Sequence, residues 1–118
     1  MEEFRFDFEN LKVYQKTLVF IDKVFEIYKR LKIDYKYSIG NNFIRAALSI
    51  ANNIAEGNGK KSKKEKNRYF DISSDSAREC ASVLNVLKRQ NLIEEQCYLE
   101  LRLAVREITS MLRGLLNS

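Results

Sequence analysis

The 118-residue chain has no histidine, no proline and no tryptophan, only four glycines and only two cysteines. Each shortage excludes something. Without histidine the commonest general base and the commonest metal ligand are gone, and neither a Ser–His nor a Cys–His pair can form. No Walker-type glycine loop and no G-x-G-x-x-G stretch occurs. No pair of acids stands in an apolar setting that would serve acid–base chemistry. A non-enzymatic protein with no cofactor and no catalytic or metal site is therefore expected. The missing proline and scarce glycine argue against a sandwich or barrel, which needs many turns. Cys80 and Cys97 are isolated, without C-x-x-C spacing, and read as reduced, small hydrophobes. No apolar run is long enough to span a bilayer, and the start, Met-Glu-Glu-Phe-Arg, is too charged for a signal peptide. A cytoplasmic protein with no membrane partner is the expectation.

What is present is 45% hydrophobic residues, enough for one domain with a real core. The expected unit is a single domain over 1–118, with residues 1–8 as an extension. Helical periodicity recurs four times. Leu11, Tyr14, Leu18, Ile21, Phe25 and Tyr28 form a heptad seam in the first helix, widened by Val24 and Leu31. In the second, Phe43, Ala47, Ile50 and Ile54 share one face. Ala46, Ala51 and Ala55 are small enough to let a neighbouring helix come close. Gly57 is expected to end that helix as the residue just past its last turn. Ser62 and Glu65 form a capping box that starts the third helix. Its seam runs through Tyr69, Ser73, Ser76, Cys80, Val83 and Leu87. Asn91 breaks the chain before a fourth helix with Tyr98, Leu101, Val105, Ile108, Leu112 and Leu115 on one seam. Leu99, Leu103, Met111 and Leu116 suggest a second buried face there. The predicted spans are 9–31, 38–56, 63–90 and 94–116. Short connections make neighbours antiparallel, so an all-α, up-down four-helix bundle is predicted.

Two features look beyond the core. On the second helix, Asn42, Arg45, Ser49, Asn52, Asn53 and Glu56 recur three or four residues apart and line one side. This polar seam is expected to face another helix, a second copy or a shared cavity. Arg45 and Glu56 are too far apart along the axis to pair with each other. Each is expected to be buried against a partner on another helix or chain, and a lost partner would leave a buried charge. The second feature is charge. The net +5 is uneven: residues 1–10 sum to −3, whereas residues 58–70 sum to +5. The surplus sits in Lys60, Lys61, Lys63, Lys64, Lys66 and Arg68. A compact basic cluster attracts polyanions, although a lone run of lysine is more often a solvated surface. Tyr69 and Phe70 follow it and are read as core.

These motifs also resemble a known family, the small four-helix-bundle proteins encoded by intervening sequences of bacterial 23S rRNA genes. Phe8, Leu11, Val13, Tyr14 and Gln15 fit its F-x-x-L-x-[VI]-[WY]-Q. Arg45, Ala46, Ala47, Ser49, Ile50, Asn53, Ile54, Ala55, Glu56 and Gly57 fit R-A-A-x-S-I-x-x-N-I-A-E-G. Ser62, Glu65, Arg68 and Tyr69 fit S-x-x-E-x-x-R-[FY]; Ile72, Ser73, Ser76 and Glu79 fit I-[AS]-x-x-S-x-x-E. The chain departs at Ile44, where the family has a second Arg, at Ala51, usually Pro, and at Asp75, often Gly. The resemblance implies a left-handed bundle that assembles into a ring, typically a pentamer. It also implies distant kinship with accessory proteins of diversity-generating retroelements, which bind nucleic acid and a polymerase. The resulting expectation is a homo-oligomeric scaffold that binds RNA or DNA without sequence preference, in an accessory role to a ribonucleoprotein. A protein–protein scaffold without nucleic-acid binding is the alternative.

Overall fold

The chain's helical periodicity is realised in four long helices, and no strand occurs among the described residues. The computed structural model describes residues 4–118. Helix α1 spans Lys12–Arg30, α2 Asn41–Asn58, α3 Lys63–Arg89 and α4 Glu95–Leu116. A 3-10 turn, Asp7–Asn10, precedes α1. A short helical turn, Ile33–Tyr35, and a π-type turn, Lys36–Gly40, lead into α2. The predicted boundaries hold to within three residues. Each helix packs on its neighbour in sequence and α4 closes onto α1, which leaves α1 and α3 at diagonal corners. This is the four-helix bundle that the patterns predict.

Local chemistry sets the ends. Ser62 Oγ accepts the Glu65 backbone N–H at 3.1 Å, so the predicted cap starts α3. At the other end of α3, Asn91 takes φ 58°. Leu92 N–H donates to the Leu87 carbonyl at 2.9 Å, and Asn91 N–H to that of Lys88 at 3.1 Å. That is a Schellman turn, with asparagine in the left-handed position glycine usually holds.

Gly57 does not end α2. The helix continues to Asn58, and no glycine has positive φ. Its role is steric. A Cβ there would lie 2.8 Å from Phe70 Cε1 and 3.0 Å from Tyr69 Cβ. Real carbon contacts sit near 3.5–4.0 Å. The bare backbone of Gly57 is what lets α3 cross so closely.

Two apolar faces are placed differently from expectation. The buried stripe of α1 is Val13, Thr17, Phe20, Ile21, Val24 and Ile27, with Leu31 beyond its end. The heptad seam lies beside it, and its members Leu18 and Phe25 remain exposed. On α4, Leu99 and Leu103 keep 52% and 54% of their surface, so no second buried face forms within the chain. Leu101, Val105, Ile108 and Leu112 are buried as read from their spacing.

Candidate nucleic-acid interface

The polar seam of α2 lies mostly against α3. Arg45 reaches Glu79 at 2.6 Å and also donates to Asn42 Oδ1 at 2.5 Å. Ser49 and Ser76 share a hydroxyl–hydroxyl bond of 2.7 Å. Asn53 Nδ2 donates back to the Ser49 carbonyl at 2.8 Å and to its hydroxyl at 3.1 Å. Deeper in, Ser73 Oγ donates to the Ile50 carbonyl at 2.8 Å in a fully buried contact. The seam thus joins two helices of one chain through Arg45 and Ser49, which Asn42 and Asn53 bond from within α2 itself.

Its two remaining members behave differently. Asn52 and Glu56 are exposed. Glu56 pairs with Lys60, one turn on, at 3.7 Å. Within the chain the Arg45 side chain keeps 63% of its surface and that of Glu56 61%. Neither charge is buried within the single chain, and each nonetheless has a partner there. Arg45 finds its partner on another helix, as its spacing required, but in water; Glu56 finds one in the lysine just beyond its own helix. That lysine offsets the unfavourable placement of an anion at a helix C-terminus.

Helical periodicity splits the basic cluster. Lys63, exposed, and Lys66, half-buried, reach to the ends of other helices and hold them. Lys63 Nζ donates to the Leu116 carbonyl at 3.2 Å, and to that of Ser118. Lys66 Nζ donates to the Asn58 carbonyl at 2.9 Å. Both ammonium groups sit where unpaired carbonyls and the helix dipole favour a cation. Lys61, Lys64 and Arg68 face outward and are exposed, with Lys60 half-buried beside them. Lys60 Nζ lies 5.1 Å from the Tyr69 ring centre and the Arg68 guanidinium 5.5 Å, both within cation–π range. Tyr69 is half-buried, and Phe70 is core as read. Periodicity could have shown the split: 63, 66 and 70 share one side of a helix, 64 and 68 another.

Cys80 is fully buried and Cys97 half-buried; both are free thiols. Burial pushes the Cys80 thiol up to about 12; Glu79 adds to the shift and Arg45 opposes it. The Cys97 thiol is also raised, again mainly by burial. Among the described residues no three His, Cys, Asp or Glu side chains converge as a metal site would require. None of the described helices is long and apolar enough to cross a membrane.

Comparison with known proteins agrees with this architecture. No curated protein matches the chain. A crystal structure of a protein of unknown function from the S23 ribosomal protein family of Bacteroides thetaiotaomicron superposes with a TM-score of 0.83. It is 22% identical, and the match covers 90% of this chain and 99% of the other. That likeness concerns the fold. The family described as 23S rRNA-intervening sequence protein matches residues 9–114. With nearly the whole bundle inside that match, the chain belongs to the 23S rRNA-intervening sequence protein family.

Proposed function

We propose that this protein is a non-enzymatic homo-oligomeric scaffold in the cytoplasm that binds RNA or DNA without sequence preference. The carrying observation is the outward half of the basic cluster. Lys61 and Lys64 are exposed and have no ion-pair partner among the described residues. Lys60 and Arg68 stand beside them over the Tyr69 ring. Exposed cations on a short loop and the first turns of a helix suit phosphates, and phosphate contacts carry no sequence information. Repetition of the edge around a ring, pentameric by the family resemblance, would strengthen its field.

Light scattering should give a multiple of 13.9 kDa. Affinity for RNA or DNA should fall with rising salt as counterions are released. In the variant Lys61→Gln/Lys64→Gln/Arg68→Gln the salt slope should flatten while the fold is kept. Lys63, Lys66, Ser62 and Glu65 stay, because they hold helix ends. Absence of binding even at low salt would overturn the nucleic-acid reading. It would favour a protein–protein scaffold, for which the exposed Leu18, Phe25, Leu48, Leu99 and Leu103 speak.

A further inference from the structure

Phe4, Phe6 and Phe8 alternate with charged residues at the start of the chain. Phe4 and Phe6 keep 80% and 57% of their surface. Their rings touch chiefly each other: Phe4 meets Phe6 edge-on at 5.0 Å, Phe6 stacks on Phe8 at 5.7 Å, and Phe8 meets Tyr14 edge-on at 5.0 Å. Glu9 accepts the Phe6 backbone N–H at 3.0 Å and so turns the segment into its 3-10 turn. This arm packs beside α1 and α2. It is an exposed aromatic ladder, and Phe4–Asn10 carries Arg5 against Asp7 and Glu9, a net charge of −1.

A complementary feature sits at the same end of the bundle, on the far side. A cavity of about 330 Å³ opens between the end of α2, the start of α3 and the end of α4. Phe70 and Leu115 form its apolar part, and Lys61, Lys63 and Lys66 ring it with ammonium groups. Asn67 lines it too, and its buried Oδ1 has no hydrogen-bond partner among the described residues. Such a carbonyl needs a donor, which a peptide N–H supplies and an ionised phosphate does not. Apolar walls, a cationic rim and an orphan acceptor together fit an aromatic, acidic peptide.

We infer that the arm Phe4–Asn10 of one copy seats in the α3-side cavity of the next copy. Within a chain the arm packs on α1 and α2, whereas the cavity opens on the α3 side of the bundle. Side-by-side copies pointing the same way bring them together, because both are at one end. A contact between two different patches of this kind is heterologous, and it closes into a ring when the rotation allows. An aromatic ring fills the apolar part, Asp7 faces the lysine rim, and opposite charges set orientation. The outward Lys64 and Arg68 stay free for a polyanion. The inference rests on the homo-oligomer proposed above and names the surfaces that would form it.

The test is oxidative cross-linking of the full chain. In a Cys97→Ser background, with Cys80 buried, the double variant Phe4→Cys/Lys61→Cys should form a covalent ladder of multimers, and each single variant at most dimers. Phe4→Ala/Phe6→Ala should lower the oligomer mass at a given concentration with helical circular dichroism unchanged, since both rings are exposed. A double variant that closes only within one chain would overturn the inference. So would an intact oligomer in Phe4→Ala/Phe6→Ala without a ladder; the assembly would then stand on another surface. A monomeric parent chain would overturn both the inference and the oligomer.

Discussion

The close crossing of α2 and α3 at Gly57 makes a sharp prediction. Alanine there gains helix propensity worth about 1 kcal/mol over glycine. It also places a methyl group 2.8 and 2.9 Å from two atoms of the Phe70 ring and 3.0 Å from Tyr69 Cβ. The Phe70 ring is itself buried, so it has little room to retreat. Overpacking of this kind costs about 1–3 kcal/mol. Gly114 provides the control. It lies near the end of α4, exposed, and an added Cβ would meet nothing within 4 Å. Gly114→Ala should therefore stabilise by up to about 1 kcal/mol. The two propensity gains nearly cancel, so the difference between the variants reads out the steric cost. Gly57→Ala should fall about 1–3 kcal/mol below Gly114→Ala in urea unfolding, or some 3–15 °C in Tm. Protein concentration must be matched, because assembly would raise apparent stability. In a Phe70→Leu background the gap should narrow. Equal stabilisation by both alanines would show slack at the crossing and refute close approach as the reason for Gly57.

Two further outcomes follow from the site. Arg45→Ala and Glu79→Ala should each cost less than about 1 kcal/mol, with a coupling of similar size in a double-mutant cycle, because the pair is largely solvated; a coupling of several kcal/mol would mean that assembly buries it. Cys80 should make the protein alkali-sensitive: its folded thiol titrates at about 12 against an ordinary 9.0, so the unfolded thiol ionises first. Its contribution is intact below pH 9 and is lost as pH rises toward 12, at up to about 1.4 kcal/mol per pH unit. Cys80→Ala should remove that slope relative to the parent chain. In native protein a thiol reagent should label Cys97 and spare Cys80.

The bundle was legible because its evidence is local. The cap at Ser62, the break at Asn91 and the repeated three-four spacing each need only neighbouring residues. The error on α1 has a specific cause. Two overlapping stripes are available on that helix, and the all-apolar one, Leu11 to Tyr28, looks better. The true stripe contains Thr17, whose hydroxyl is satisfied by the Val13 carbonyl at 2.7 Å inside its own helix. A polar residue paired within its own turn carries little burial cost, so hydrophobicity alone ranked the stripes wrongly. Gly57 was misread for a related reason. A glycine near a helix end looks like a cap, and only the position of Phe70 on another helix reveals its steric role. Arg45 needed a distant partner, but choosing Glu79 requires the register of α2 on α3, which one sequence does not supply.

That register also explains why the basic edge can be an organised surface rather than a loose lysine run. Ser49 meets Ser76, Ser73 meets the Ile50 carbonyl and Arg45 meets Glu79. A slip of one helix along the other would part all three at once and leave buried hydroxyls unpaired, so one register is strongly preferred. The same register brings Gly57 onto Phe70 and Asn58 within reach of Lys66. Just four residues, Gly59 to Ser62, then join two helices that are already fixed to each other. The loop is pinned at both ends, by the α2–α3 crossing and by the Ser62 cap. Lys60 and Lys61 ride on that loop, and Lys64 and Arg68 follow on the first turns of α3. Holding them in place lowers the conformational entropy still to be lost when a ligand binds. The polar seam and the basic edge are therefore parts of one arrangement: the first sets the crossing, and the crossing sets the edge.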